Sequence, residues 1–337
     1  MQELQTGPPL LAIRHLRLEF GSLRAVDDVS LSVRPGETLC LVGESGCGKS
    51  VTALSVARLI PSPPARYTGG EIWLEGEDVL RMGRRRLREI RGRVVSYVFQ
   101  EPGSSLNPVF PIGRQIKESL KLHRPQAATD PEVIRLLELV GIPAAEERRR
   151  EYPHQFSGGM QQRVMIAMAL ASEPKLLIAD EPTTALDVTV QAQILELLRG
   201  LKERLGMSLL LITHNLGIVA DIADRVAVMY AGQIVEEGPA DAVLSRPLHP
   251  YTQALLYSAP RLGDKAERLA AIPGSVPDLG ALPSGCRFHP RCPWARRDCH
   301  DKRPELVEVE PRRWARCPYW NVGAPTGEDA ARPNLVL

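Results

Sequence analysis

The 337-residue chain is long enough for about two domains and can bury its cores without disulfides. Lys and Arg number 42 against 40 Asp and Glu, a net charge of +2, so no global field draws the chain to nucleic acid or an anionic membrane. Hydrophobic residues make up 44%, ordinary for a soluble globular protein, and no apolar run approaches the roughly 18 residues of a membrane span. Met1–Pro9 lacks a basic-then-apolar leader, which predicts an intracellular chain with its six cysteines reduced or metal-bound. Any membrane spans must then come from a partner.

The chain opens with the alternation Ile13, Leu16, Leu18, Phe20, which predicts an antiparallel, half-exposed sheet. A continuous apolar strand, Thr38–Val42, follows. It runs into Gly43-Glu44-Ser45-Gly46-Cys47-Gly48-Lys49-Ser50, which matches G-x-x-x-x-G-K-[ST], and then into a predicted helix over Lys49–Leu59. The glycines let the backbone bend so that successive N–H groups point at phosphate oxygens, and a helix N-terminus adds a positive dipole end. Lys49 is expected to reach the β- and γ-phosphates, and Ser50 to ligate Mg²⁺.

Seven arginines, Arg81, Arg84, Arg85, Arg86, Arg88, Arg91 and Arg93, fall within 13 residues. No aromatics interleave them as base stacking would need, so a solvated helix face is the expectation over a nucleic-acid or lipid-headgroup patch. A strand is predicted over Val94–Phe99. Phe156-Ser157-Gly158-Gly159-Met160-Gln161-Gln162-Arg163 then opens a predicted helix, Gly158–Ala171, with Ser157 as its cap. Its two glycines expose backbone N–H groups, a second anion site.

Leu176-Leu177-Ile178-Ala179-Asp180-Glu181 places two carboxylates at the carboxyl end of a buried strand, where α/β sheets hold ligands. Beside a phosphate loop, Asp180 can hold Mg²⁺ through water and Glu181 can polarise the attacking water as general base. A helix over Val188–Leu205 and strands over Ser208–Thr213 and Arg225–Tyr230 follow. Strands alternating with helices predict a partly parallel sheet covered by helices, with one copy of the nucleotide module.

The composition then shifts. Residues 239–337 hold 14 of the 29 prolines, and Cys286, Cys292, Cys299 and Cys317 lie within 32 residues, separated by 5, 6 and 17. A loop-rich, separately stapled tail is expected. Zinc knuckles use closer pairs, whereas four thiolates suit a [4Fe–4S] cluster. Structural Zn²⁺ with His289 or His300 as spare ligands, and plain reduced thiols, remain the alternatives. Cys40 and Cys47 need no ligand role.

With these motifs in this order, the chain resembles the ATP-binding subunits of ABC transporters over about residues 10–258. The segment Phe156–Arg163 resembles that family's signature sequence. The resemblance implies that Ser157, Gly158, Gly159 and Gln161 complete the ATP site of an opposite subunit. Gln100 resembles the Q-loop glutamine that contacts Mg²⁺ and senses the membrane subunit. Ala185-Leu186-Asp187 resembles the D-loop. His214 resembles the switch histidine at the γ-phosphate, and Phe20 the aromatic stacked on adenine. Because Lys49, Glu181 and His214 are all present, a hydrolysis-competent half-site is implied. The implied fold is a P-loop ABC-type α/β ATPase. It has a mixed core sheet, an N-terminal antiparallel β subdomain, a helical signature subdomain over about 103–172 and a small Cys-containing extension over 259–322, with a flexible tail over 323–337.

Three further segments are similar to peptide and nickel transporters: Gln100–Phe110, His249–Leu256, and Ile272–Pro277 followed by Cys286–Pro293. Asn107–Phe110 and Met160–Arg163 are most like the D-type ATPase subunit of dipeptide permeases. This resemblance implies ATP-driven import of di- or oligopeptides, with nickel or another small solute as the alternative. It implies the same [4Fe–4S] cluster on the four tail cysteines. The implied partners are a second, different ABC ATPase subunit, two transmembrane permeases and an extracytoplasmic solute-binding protein, and no nucleic acid. The implied location is the cytoplasmic face of the inner membrane. A soluble ABC ATPase acting on DNA or ribosomes usually carries two nucleotide modules or a long coiled-coil insertion, and this chain has neither. A purely structural iron–sulfur protein conflicts with Lys49 and Glu181.

Overall fold

The apolar runs Thr38–Val42, Leu176–Asp180, Ser208–Thr213 and Arg225–Tyr230 are strands in which every residue is buried. This explains their lack of alternation, since a strand covered on both faces has no polar side. A computed structural model of the chain describes residues 7–184, 186–258 and 272–321. The chain forms two compact units. One consists mainly of Val33–Thr38 and Arg81–Ile212, the other of Leu11–Ser32, Leu39–Leu80 and the described residues from Thr213 onward.

In the first unit the strand Leu176–Asp180 runs parallel to Val95–Val98 on one side and to Ser208–Thr213 on the other. Three helices, Ile112–His123, Asp130–Leu139 and Gly158–Leu170, pack on one another. Two of the three starts are marked by a side-chain cap. The Thr129 side chain accepts from the Glu132 N–H, and Ser157 caps Gly158–Leu170 by accepting from Met160. Helix Gly158–Leu170 also packs against the strand Val95–Val98 and buries residues all round its axis, so it has no polar stripe. The arginine run forms the helix Arg84–Arg93, bent at Arg91–Gly92. Leu87 and Ile90 turn inward, while Arg84, Arg85 and Arg88 are exposed and Glu89 pairs with Arg85 and Arg86. That is the solvated face the sequence led us to expect.

The second unit carries two sheets. The first is antiparallel and ordered Leu23–Val33, Leu11–Phe20, Ala65–Leu74, Glu77–Asp78. Ile13 and Leu16 are three residues apart, which breaks a period of two, yet both are buried. The pairing shifts register between Arg14 and Arg17, and His15 takes a left-handed φ of 51°. The extra residue of this bulge returns Leu16 and Leu18 to the inner face. In the second sheet Thr38–Val42 runs parallel to Arg225–Tyr230, which pairs antiparallel with Gln233–Pro239.

The cysteine-bearing segment departs from expectation. It extends this sheet with Arg313–Ala315, paired to Gln233–Pro239, and then Val307–Glu310. A separately stapled tail is therefore replaced by one built into the unit that holds the phosphate loop. Buried ion pairs fasten it: Arg313 donates to Glu236 at 3.3 Å, and Arg287 pairs with Asp27. Charges withdrawn from water in this way are tolerable only in pairs, which fixes where the segment docks. The predicted helix Lys49–Leu59 is also shorter, ending at Ser55 where Val56 turns back to bond the Ala53 carbonyl.

Candidate functional site

The loop Gly43–Gly48 leaves a fully buried strand and enters the helix Lys49–Ser55. Two of its glycines are dictated by close backbone approach. A Cβ on Gly43 would stand 2.2 Å from the Met229 carbonyl oxygen, and one on Gly48 would stand 2.6 Å from that of Ala25. Lys49 is only 4% exposed, and its Nζ donates to the carbonyls of Gly43 at 2.8 Å and Glu44 at 3.0 Å. The ammonium thus closes the loop on itself and sets its curvature. Ser45 and Gly46 are exposed and Ser50 is half-buried. Burial pushes the Cys47 thiol up to about 11, so this cysteine is neutral packing at physiological pH. Phe20 ends its strand half-buried in the same unit. His214, exposed, follows Ser208–Thr213.

In the other unit Asp180 ends the buried strand and Glu181 follows with a left-handed φ of 47°. Such a backbone costs about 1 kcal/mol or more for a residue with a Cβ. It is held by the Glu181 N–H donating to the Ile212 carbonyl at 2.9 Å. Gln100 Nε2 donates to Glu181 Oε2 at 3.3 Å, and Thr184 Oγ1 donates to the same oxygen at 3.0 Å. Sequence reading missed Thr184 because a hydroxyl three residues after an acid is common in turns.

The signature segment lies in this unit too. Ser157 and Gly158 are exposed at the start of Gly158–Leu170, and Gly159 is half-buried. Gln161 was expected to face nucleotide, but its amide donates to the carbonyls of Pro153 at 2.9 Å and Phe156 at 3.2 Å. It braces the turn that presents Ser157. In the D-loop segment Ala185 lies outside the described residues. Asp187 caps the helix Val188–Leu205 by accepting from Val190 at 2.9 Å.

The four tail cysteines line one cavity of about 400 Å³, together with Phe288, Trp294 and Tyr319. Burial foremost, with neighbouring thiols adding, raises Cys292 to about 12. Burial likewise raises Cys286 to about 11 and Cys317 to about 12. Among the described residues no group of three or more His, Cys, Asp or Glu stands where it could hold a metal ion. Neither the [4Fe–4S] expectation nor the zinc alternative is supported by that geometry: the sulfurs share a cavity without converging.

The family model described as "ABC transporter" matches residues 26–184, and that for the oligopeptide/dipeptide transporter C-terminal region matches residues 235–299. A Brucella abortus protein named as a peptide import ATP-binding protein is 52% identical over 316 residues, 92% of this chain and 95% of its own. The chain belongs to the ABC transporter family. It is an ABC-type ATPase, and the oligopeptide/dipeptide C-terminal match sets its branch. A Brucella ovis relative with the same kind of name is 50% identical over 329 residues, 93% of this chain and 97% of its own. A dimeric ATP-binding cassette solved after hydrolysis with ADP and phosphate superposes with a TM-score of 0.60 at 25% identity, over 68% of this chain and 98% of its own. A Clostridium perfringens component of an ABC transporter complex superposes equally well at 25% identity, over 71% of this chain and 92% of its own. Among the described residues no helix of this ABC ATPase is long and apolar enough to cross a membrane.

Proposed function

We propose that this chain powers the import of di- and oligopeptides as one ATPase subunit of a membrane ABC transporter. The observation that carries the solute is the match of residues 235–299 to the oligopeptide/dipeptide transporter C-terminal region, seconded by relatives named for peptide import. In this reading Gly43–Ser50 cradles the phosphates of ATP, with Lys49 on the β- and γ-phosphates and Phe20 against adenine. Glu181 accepts a proton from the attacking water, and Gln100 and Thr184 keep its carboxylate aimed. His214 bonds the γ-phosphate. Ser157, Gly158 and Gly159 serve the nucleotide held by an opposing, different ATPase subunit, and Asp187 lies at that junction.

The hydroxyl, amide and carboxylate oxygens of Ser50, Gln100 and Asp180 are the hard donors that Mg²⁺ prefers. The ion supplies neutralisation of charge on the phosphates. The remaining partners in this reading are two permeases and an extracytoplasmic solute-binding protein, with this chain peripheral on the cytoplasmic face of the inner membrane.

The cluster reading of Cys286, Cys292, Cys299 and Cys317 rests on the kind of donors that line the cavity and not on their spacing, since the thiols do not converge there. They form a soft, all-sulfur donor set, and a cluster needs more room than a single ion. Bound there, it supplies a structural staple for the tail. Anaerobic purification followed by iron, sulfide and zinc analysis tests this: about four irons per chain supports it, and zinc without sulfide replaces it.

The transport reading is tested by reconstituting the complex in vesicles with its solute-binding protein. Uptake of peptide that requires ATP supports it. Uptake of nickel with no response to peptide would reassign the solute.

A further inference from the structure

Arg291 lies in the tail between Cys286 and Cys292, yet its side chain ends on the phosphate loop. The residue is 7% exposed. Its Nη1 donates to Glu44 Oε2 at 2.7 Å and its Nη2 to Glu44 Oε1 at 2.9 Å, a two-pronged pair. The guanidinium is itself anchored, because Nε donates to the Pro273 carbonyl at 2.9 Å and the group lies over the Tyr230 ring, 5.8 Å from its centroid. Burial works against its charge, but the bonds to Glu44 and Tyr230 outweigh burial and hold Arg291 above the usual arginine range. Glu44 is gripped a second time through its backbone, whose N–H donates to the Tyr251 hydroxyl at 2.9 Å. Both grips come from sequence beyond the nucleotide motifs.

Glu44 is the first variable position of the loop and puts a carboxylate beside a cradle for polyanions. Left alone, that charge repels each phosphate it faces. We propose that Arg291 is a positioning residue for nucleotide binding: it cancels the Glu44 charge and fixes the loop backbone at Glu44. The tail thereby sets the affinity of the phosphate loop. This inference rests on the reading of Gly43–Ser50 as the ATP cradle.

The test is equilibrium dialysis of ATP, ADP and AMP against the full chain carrying Arg291→Gln, Glu44→Gln, both together, or Lys49→Ala. Arg291→Gln is expected to raise the ATP dissociation constant about tenfold, with a smaller factor for ADP and the smallest for AMP, because the repulsion grows with ligand charge. Raising the salt concentration shrinks that factor. Glu44→Gln alone leaves ATP affinity equal or tighter. The double variant returns it to within about twofold of the parent, since removing the carboxylate removes what Arg291 opposes. An unchanged ATP constant in Arg291→Gln, or a double variant as weak as Arg291→Gln alone, overturns the proposal.

If Arg291→Gln does not fold, Arg291→Lys decides. It keeps the charge but loses the two-pronged geometry, and is expected to weaken ATP binding less than the roughly tenfold of Arg291→Gln. A folded Arg291→Lys chain that loses tenfold or more overturns the charge argument. Lys49→Ala separates the two readings. Unaltered ATP binding there sinks the cradle itself, whereas loss there with no effect at Arg291 sinks only this inference.

Discussion

The carboxylate of Glu181 receives the Gln100 amide at 3.3 Å and the Thr184 hydroxyl at 3.0 Å on the same oxygen, Oε2. Two donors on one oxygen fix the direction of a carboxylate, and a proton acceptor must be aimed. Glu181→Gln is therefore expected to keep ATP binding and slow hydrolysis at least about tenfold in the assembled complex, because the cradle survives and the base does not. Single-turnover hydrolysis with labelled ATP checks this, and near-normal turnover would remove Glu181 from that role.

The phosphate loop has no room for a methyl group at Gly48. There φ is +106° and a Cβ would stand 2.6 Å from the Ala25 carbonyl oxygen. Gly48→Ala is expected to displace backbone rather than a side chain, weakening ATP binding more than about tenfold and lowering the midpoint of thermal unfolding. Calorimetry with and without ATP reads both effects at once.

Gln161 belongs to the fold before it belongs to the nucleotide. Replacing it with Ala removes the side-chain amide that donates to the Pro153 and Phe156 carbonyls. A loss of about 1–2 kcal/mol in denaturant unfolding is expected, with ATP affinity of the isolated chain unchanged. An unaltered unfolding midpoint would return Gln161 to a purely nucleotide-facing role.

His249 gives the pH dependence a sign. It is fully buried, and its Nδ1 accepts the Tyr251 N–H at 3.0 Å, so the ring is held neutral. Burial, with Arg316 adding, pushes it from 6.5 down to about 3. The unfolded chain therefore binds the proton first. The stability contributed by the neutral ring is complete above pH 6.5 and falls as the pH drops from there toward 3. The loss reaches about 2 kcal/mol by about pH 5. His249→Gln is expected to flatten the unfolding midpoint between about pH 7 and 5 relative to the parent. Equal slopes for the two proteins would contradict this assignment.

Chemistry confined to short segments was legible in the sequence. The strand Thr38–Val42, the glycine loop and Lys49 are contiguous, and both loop shape and charge follow from local backbone freedom. The runs Leu176–Asp180, Ser208–Thr213 and Arg225–Tyr230 are apolar because both faces are covered, and so their bounds were readable too. Ser157 announced itself as a cap for the same local reason, whereas the capping role of Asp187 emerged only from the structure.

Other features were decided only when distant residues met. Nothing in the spacing of the tail cysteines says that Arg313–Ala315 joins the sheet beside Gln233–Pro239, because strand pairing depends on partners far along the chain. Sequence alone gives Arg291 no role of its own, and Glu44 only a place in the phosphate loop. Their bidentate contact spans 247 residues of sequence and exists because a buried guanidinium must find an anion. The cysteines share a cavity without converging on one point. Sequence can count sulfurs, but only packing sets the distances between them.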